Sequence, residues 1–286
     1  MPAPERYAVI GHPIAHSLSP QIHTLFARQT RQNLSYVALD VPPERLAAQV
    51  QGFFAAGGRG LNVTVPHKQA VMALLDGLTE RARRALAVNT IARHATAGLL
   101  GDNTDGVGLV RDLVHNLHLA VRSQRILLLG AGGAARGVLG PLLELGPREL
   151  VIANRSFERA AALAHEWAAA GPVRAAELGT EAADGGVAGA AALAGFDLIL
   201  NATAASLQGE VPALPPQVVR SAAVCYDLAY GRRDTAFVRW ARSLGAAQVH
   251  MGLGMLVEQA AESFQRWRGV RPDTAPVLAA LRGGQP

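Results

Sequence analysis

The sequence predicts an α/β protein with more than one domain. Apolar runs of strand length alternate with longer stretches of helical period almost from end to end. The chain has 286 residues, about twice the usual length of a single domain. At Arg125–Leu145 an apolar strand runs directly into a glycine cluster and then a helix, which is typical of a doubly wound sheet.

Eight apolar runs are expected to form strands, because each is short and bounded by turn residues. They are Tyr7–Ile10, Leu34–Leu39, Gly60–Val63, Val88–Ala92, Arg125–Leu129, Glu149–Ala153, Phe196–Leu200 and Ala223–Asp227.

Helices are expected in the intervals between these strands. Ser19 followed by proline predicts an N-cap and a helix that runs to about Gln29. Two prolines from Pro42, with an acid in the first turn, predict a second helix that ends near Gly57. A third helix is expected to begin at Pro66.

The domain boundaries follow from these elements. We expect an N-terminal α/β domain over residues 1–103 and a doubly wound domain over 104–251, with the helices of 252–286 returning to the first domain. The Ala- and Gly-rich stretch Ala168–Gly195 predicts a helix end, a weak strand near Val173 and a mobile surface connection.

Composition excludes several classes of protein. Half of the residues are apolar and 17% are charged, so the chain is not of the disordered class. The net charge of +5 favours anionic ligands. Because the basic residues are scattered rather than clustered with aromatics, we expect no nucleic-acid partner.

The location is predicted from cysteine usage and hydropathy. The single cysteine, Cys225, cannot form an intramolecular disulfide or a cysteine metal cage, which indicates a reducing cytoplasm. The N-terminus lacks the pattern of a signal peptide, and no uninterrupted apolar stretch reaches membrane-spanning length. We therefore expect a cytoplasmic protein with no membrane partner.

The glycine cluster carries the strongest chemical signal. Gly130, Gly132 and Gly133 follow a strand and open a helix, so backbone amides and the helix dipole would face a pyrophosphate. Ala135 stands where the usual fingerprint has a third glycine, and it preserves close helix packing. The pattern predicts a dinucleotide-binding turn.

The end of the next strand indicates which dinucleotide is bound. The strand ends in Asn154, Arg155 and Ser156 without a carboxylate, and Arg159 follows one helical turn later. Two guanidinium groups around a serine suit a ribose 2′-phosphate, which predicts NADP(H) rather than NAD(H). The alternative is that both arginines are solvated surface charges.

Lys68 is the only lysine among 27 basic residues. Unlike a guanidinium, an ammonium can release its proton, so this residue predicts proton transfer. It ends a segment in which Asn62 and Thr64 share one strand face. The neighbouring His67 is the rival acid–base candidate.

A further polar cluster lies at two predicted strand ends, around Asn89 and in Gly101–Gly106. Such side chains are costly to bury without a partner, so they are expected to line a polar ligand or water. The alternative is a turn and N-cap for a helix from Gly106. The calcium-loop pattern is absent, and we expect no metal site.

Taken together, these motifs resemble the shikimate dehydrogenase family over nearly the whole chain. The matching segments are Ser17–Pro20, Asn62–Lys68, Ala87–Thr90, Gly101–Gly106, Gly130–Arg136, Asn154–Ser156, Asn201–Thr203 and Gly252–Ala260. The resemblance implies reversible reduction of 3-dehydroshikimate to shikimate with NADPH, on the route to chorismate and the aromatic amino acids. It implies a small-molecule substrate and a monomer or homodimer.

The resemblance also implies residue roles. Lys68 and Asp105 correspond to the catalytic pair, with Lys68 either the literal acid or an electrostatic stabiliser of the developing alkoxide. Ser17 and Ser19 correspond to the hydroxyls that hold the substrate carboxylate. The expected contacts to the substrate ring are Asn62, Thr64, Asn89, Asp105, Tyr230 and Gln259. The expected contacts to NADP(H) are Gly130, Ala131, Gly132, Gly133, Ala134, Asn154, Arg155, Ser156, Arg159, Thr203, Leu228, Gly252 and Met255.

Two alternatives differ in kind. A quinate/shikimate dehydrogenase that uses NAD would need an acid after Asn154-Arg155, and Ser156-Phe157 does not supply one. A non-catalytic NADP-binding sensor would tolerate the loss of Lys68, which is present.

Overall fold

The structure is a computed structural model that describes residues 3–94, 96–179, 193 and 195–283. It divides into two compact units, Met1–Leu109 with Leu256–Pro286 and Val110–Met255. These boundaries fall inside two helices, whereas the sequence analysis put them at residues 103/104 and 251/252, at or just before the start of those helices.

The described residues form the following strands and α-helices. The strands are β1 (Glu5–Gly11), β2 (Leu34–Asp40), β3 (Gly60–Val63), β4 (Gly77–Leu78), β5 (Thr90–His94), β6 (Gly98–Asp102), β7 (Arg125–Leu129), β8 (Glu149–Asn154), β9 (Val173–Glu177), β10 (Leu198–Asn201), β11 (Val224–Asp227) and β12 (Gln248–Met251). The helices are α1 (Ser19–Gln29), α2 (Leu46–Ala55), α3 (Glu80–Ala85), α4 (Asp105–Arg111), α5 (Gly133–Glu144), α6 (Phe157–Trp167), α7 (Ala236–Ser243), α8 (Leu253–Arg268) and α9 (Ala275–Gly283). Every helix in the described part of the chain is too short or too polar to cross a membrane.

The first unit is built on a mixed sheet in the order β2-β1-β3-β5-β6-β4. Only β5 runs against its neighbours, so the carboxyl ends of β1, β3 and β6 lie at one edge, where β5 begins. Successive residues of β1 point to opposite faces of the sheet, and both faces are covered. On one face, Ala8 and Ile10 pack with Phe53 of α2. Tyr7 lies on the other face, where its ring is 4.9 Å from that of Trp267 on α8.

The second unit has a fully parallel sheet in the order β12-β11-β10-β7-β8-β9. This is the order of a doubly wound nucleotide-binding fold, so the predicted fold class is confirmed. The strand order reverses between β7 and β10, and ligands of such sheets bind outside the strand ends at that point. Leu127, Val151, Ile199 and Phe237 are buried in its core.

Each of the eight predicted strands overlaps an observed strand, and β9 confirms the weak strand near Val173. The sequence analysis missed β4, β6 and β12. The first has only two residues, and the other two carry polar or glycine residues in place of an apolar run. Residues 180–192 and 194 of the predicted surface connection lie outside the described residues.

One predicted helix start is wrong, and one predicted N-cap is displaced by one residue. No helix begins at Pro66; the chain forms a turn closed by the His67 amide on the Thr64 carbonyl at 2.9 Å, and a short 3₁₀ helix follows at Ala70–Leu74. α1 confirms the predicted helix from Ser19 to Gln29, but Ser19 is its first residue rather than its N-cap, which is Leu18. A proline constrains the backbone at both positions, but proline alone does not determine where helical hydrogen bonding begins.

Candidate active site

The structure brings together Lys68, Asn89 and Asp105 at the carboxyl edge of the first unit's sheet. The Nζ atom of Lys68 lies 2.6 Å from Oδ2 of Asp105. Asn89 donates through Nδ2 to the other carboxylate oxygen, Oδ1, at 2.8 Å. The Lys68 and Asp105 side chains are 13% and 7% exposed, so the ion pair is largely withdrawn from water.

Lys68 is held by the backbone around it. Its carbonyl accepts a hydrogen bond of 2.7 Å from the amide of Val88, which ties the turn after β3 to the segment before β5. The rival candidate His67 is directed away: its Nε2 lies 2.6 Å from the carbonyl of Val41, and the residue is buried. The structure therefore leaves Lys68 as the acid–base candidate of this turn.

The loop after β6 is fixed by its own side chains. Asn103 accepts from the amide of Asp105 at 3.1 Å and donates to the carbonyl of Ala87 at 2.9 Å. The amide of Thr104 donates to Oδ1 of Asn89 at 2.8 Å. These bonds set the carboxylate of Asp105 in place before any ligand arrives.

Asp102 anchors the start of the same loop. It is 1% exposed and receives two hydrogen bonds of 2.6 Å from Arg81, a third of 2.6 Å from Thr79, and an ion pair of 2.8 Å from Arg266. Burial alone would raise the pKa of Asp102, but the hydrogen bonds and charge of Arg81, together with Thr79 and Arg266, outweigh it and hold that pKa below its usual value. Asp102 is thus an ionised structural anchor, and its side chain is less exposed than that of Asp105, at 1% against 7%.

Asn62 and Gln259 lie within the same buried network. Nδ2 of Asn62 donates to Thr90 at 3.1 Å and to Ser263 at 3.0 Å, and Tyr36 donates to Oδ1 of Asn62 at 2.7 Å. Oε1 of Gln259 accepts from Nδ2 of Asn89 at 3.3 Å.

Sequence reasoning missed Tyr36 and Ser263. The spacing of four residues between Gln259 and Ser263 on one helix was the available signal for Ser263, because residues four apart share a helix face. No local pattern marked Tyr36.

The two serines lie at the start of α1. The amide of Ser19 donates to Oγ of Ser17 at 3.3 Å, which leaves the Ser17 hydroxyl proton available. The first turn of α1 carries no acidic residue. A helix N-terminus of this kind favours an anion, such as a carboxylate. Thr64 lies half-buried at the end of β3, on the same edge.

His23 supports this network from the core. Its ring stacks on that of Tyr36 with centroids 4.1 Å apart and planes 6° apart. Burial lowers the pKa of His23 to about 3, so the imidazole is neutral at physiological pH.

In the second unit, the turn after β7 has the backbone that a pyrophosphate requires. Gly130 has φ +102°, and an added Cβ would lie 3.1 Å from the carbonyl oxygen of Ala202 after β10. Gly132 is the N-cap of α5, an added Cβ there would meet nothing within 4 Å, and no acid lies in the first turn. This open cradle at the point where the strand order reverses fits a dinucleotide. Ala131 and Ala134 belong to the same turn.

The residues after β8 fit the rest of an NADP site. Ser156 is the N-cap of α6, and Asn154 donates to the Ser156 carbonyl at 3.0 Å. Arg155 and Arg159 are exposed, and neither forms an ion pair with another described residue. Both guanidinium groups are therefore available to an anion.

The ends of β10, β11 and β12 hold the remaining predicted positions. Asn201 accepts from the amide and hydroxyl of Thr203 at 3.1 and 2.7 Å. An added Cβ on Gly252 would collide with the carbonyl of Leu228, so glycine is required there. Met255 is buried and Leu228 half-buried. Tyr230 is half-buried and belongs to the second unit.

Comparisons with known proteins agree along the chain. Family models match at residues 9–91 (shikimate dehydrogenase substrate binding domain), 112–208 (shikimate / quinate 5-dehydrogenase) and 252–282 (shikimate 5′-dehydrogenase C-terminal domain). The NADP(+) shikimate dehydrogenase of Methylococcus capsulatus is 53% identical over 98% of this chain and 97% of its own length. That of Aromatoleum aromaticum is 55% identical over 97% of each chain.

Solved structures agree as well. The Ael1 enzyme of Pseudomonas putida has a TM-score of 0.86 and 45% identity over 97% of this chain and 98% of its own. Shikimate 5-dehydrogenase of Thermus thermophilus, in complex with NADP(H) and shikimate, has a TM-score of 0.82 and 35% identity over 98% of this chain and 99% of its own.

Proposed function

The chain belongs to the shikimate dehydrogenase family, and from that premise we propose how its own residues carry out the family's reaction. The reaction is the NADPH-dependent reduction of 3-dehydroshikimate to shikimate in aromatic biosynthesis. The chain is accordingly an NADP-dependent oxidoreductase.

The ion pair between Lys68 and Asp105 carries the proposed mechanism. NADPH, when bound, supplies the hydride that reaches the carbonyl carbon at C3. The carbonyl oxygen must then gain a proton, and Lys68 supplies it or stabilises the negative charge on that oxygen. Asp105 holds the ammonium at 2.6 Å and has unused lone pairs for a substrate hydroxyl.

The remaining substrate contacts follow from the same edge of the sheet. Ser17 and Ser19 would hold the substrate carboxylate at the N-terminus of α1, where the helix dipole favours an anion. Asn89, which donates to Asp105, and Gln259, which accepts from Asn89, would bind ring hydroxyls. A buried polar site of this kind discriminates strongly, because an analogue that lacks a hydroxyl leaves a protein group unpaired.

The second unit would bind the cofactor. The turn from Gly130 to Gly133 would receive the pyrophosphate, and Arg155, Ser156 and Arg159 would receive the 2′-phosphate. Thr203, Leu228, Gly252 and Met255 would line the nicotinamide side.

Shikimate oxidation with NADP⁺ and with NAD⁺, and the same assay with quinate, tests this proposal. We expect kcat/KM for shikimate with NADP⁺ to exceed the value with NAD⁺, because charge-assisted hydrogen bonds to the 2′-phosphate each contribute about 1.5–3 kcal/mol. Quinate should be the poorer substrate. Equal turnover of quinate and shikimate would contradict the proposed substrate contacts.

A further inference from the structure

We propose that Glu158 sets the balance between the two nicotinamide cofactors: it weakens the binding of a ribose 2′-phosphate and provides a partner for a ribose 2′-hydroxyl. The chain would therefore discriminate less strongly between NADP(H) and NAD(H) than its two arginines alone would allow. This inference rests on the proposed function, because it assumes that Arg155, Ser156 and Arg159 surround the 2′ position.

The geometry at the start of α6 carries the proposal. Ser156, the N-cap, accepts from the amide of Arg159 at 3.4 Å and donates its hydroxyl proton to Oε2 of Glu158 at 2.8 Å. A serine hydroxyl has one proton. A 2′-phosphate that accepted this proton would have to displace the carboxylate of Glu158.

The Glu158 carboxylate is held in its ionised form. Its own backbone amide and the Ser156 hydroxyl hold the pKa of Glu158 below its usual value. Glu158 also lies in the first turn of α6, where the helix dipole favours a negative charge. A full negative charge therefore occupies the same helix terminus that would attract the phosphate.

The two cofactors meet this carboxylate differently. The 2′-phosphate of NADP(H) is anionic and can only accept hydrogen bonds near neutral pH, so it is attracted by Arg155 and Arg159 and repelled by Glu158. The 2′-hydroxyl of NAD(H) can donate to Glu158 and accept from a guanidinium. The sequence analysis found no acid at Ser156-Phe157. The acid at the next position, Glu158, lies in the first turn of α6, and its carboxylate accepts from the Ser156 hydroxyl.

Steady-state kinetics of Glu158→Gln test the proposal. We would measure kcat/KM for NADP⁺ and for NAD⁺ at saturating shikimate, at low and at high ionic strength. At low ionic strength we expect about a twofold to fivefold gain with NADP⁺ and a similar loss with NAD⁺, the range of exposed charge interactions. Both changes should shrink at high ionic strength, which a purely structural effect would not produce.

Two further sets of variants make the result decisive. Glu144 is an exposed acid at the C-terminal end of α5. Glu144→Gln should leave both kcat/KM values unchanged. Arg155→Ala and Arg159→Ala should each lower the NADP⁺ to NAD⁺ ratio. If they do and Glu158→Gln leaves that ratio within experimental error, the inference is wrong while the proposed cofactor site stands. If the arginine variants leave the ratio unchanged, the proposed 2′-phosphate site itself is wrong, and the inference is overturned with it.

Discussion

The proposed substrate site of the first unit and the proposed cofactor site of the second are built by different means. In the first, Asn89 and Asp105 are buried and bonded to each other and to their neighbours. In the second, Gly130 contributes only backbone, and Arg155 and Arg159 are exposed without an ion-pair partner among the described residues. The first arrangement fixes groups before the ligand arrives, whereas the second leaves charges free to meet an anion. Substitutions in the first should therefore affect turnover strongly, and those in the second should affect cofactor affinity more weakly.

The largest effect is expected from Lys68→Ala. Turnover should fall by about 10²–10⁴, the usual contribution of a positioned acid or base, while the dissociation constant for shikimate changes by about tenfold or less. Rapid-quench or steady-state rates together with shikimate titration would measure both quantities. Turnover at the wild-type level would remove Lys68 from the mechanism.

Lys68→Arg separates the two roles open to Lys68. Arginine keeps a positive charge beside Asp105 but cannot give up a proton in a protein. If Lys68 acts as the acid, Lys68→Arg should be as slow as Lys68→Ala. A rate well above that of Lys68→Ala would assign Lys68 to electrostatic stabilisation.

The next effect is expected from the glycine turn. Gly130→Ala should lower the melting temperature, because φ +102° costs a residue with a Cβ about 1–2 kcal/mol. It should also raise KM for NADP⁺, since the turn must shift away from the pyrophosphate to relieve that strain. Gly132→Ala is the matched control for the fold. At Gly132 the added Cβ meets nothing within 4 Å, so the melting temperature of the free protein should stay unchanged. An equal loss of melting temperature in both variants would contradict this distinction.

Local sequence patterns were enough to predict the glycine turn and the strand ends, because each depends on residues close together in the chain. The partners of Asn62 were not predictable in this way: Ser263 is 201 positions away, and only the packing of α8 brings it close. The helix start at Pro66 was wrong because proline is compatible with both a turn and a helix. Glu158 was missed for a third reason: its carboxylate reaches Ser156 only through the geometry of a helical turn.

Two buried aspartates extend the comparison to pH. Asp102 in the first unit has a lowered pKa. Asp227 in the second unit is also buried and accepts from Ser206 and Thr235 at 2.6 Å each, but burial outweighs these bonds and raises its pKa. Asp102 therefore stabilises the fold above the unfolded pKa of about 3.8, and this contribution is lost as the pH falls through its lower folded pKa. For Asp227 the sign is opposite, and its contribution is lost as the pH rises through the raised folded pKa.

Melting temperatures of Asp102→Asn and Asp227→Asn between pH 3 and pH 7 would measure this difference. Asp102→Asn should cost about 3 kcal/mol at pH 7, the lower end for breaking a buried ion pair, and less at pH 3. Asp227→Asn should cost less at pH 7 than at pH 3, because asparagine resembles the protonated acid. Parallel pH profiles for the two variants would contradict the assigned shifts.

The smallest expected effect concerns two threonines, one in each unit, that both cap a helix and donate to a buried aspartate. Thr79 caps α3 and donates to Asp102, and Thr235 caps α7 and donates to Asp227, each at 2.6 Å. Thr79→Val and Thr235→Val should each cost about 1 kcal/mol through the lost cap. Their effects on the aspartates should differ, because Asp102 keeps the hydrogen bonds and charge of Arg81, whereas the described partners of Asp227 are all uncharged. Carboxyl ¹³C titration would measure both pKa values. The Asp227 pKa should rise more in Thr235→Val than the Asp102 pKa rises in Thr79→Val. Equal rises would mean that Arg81 does not dominate at Asp102.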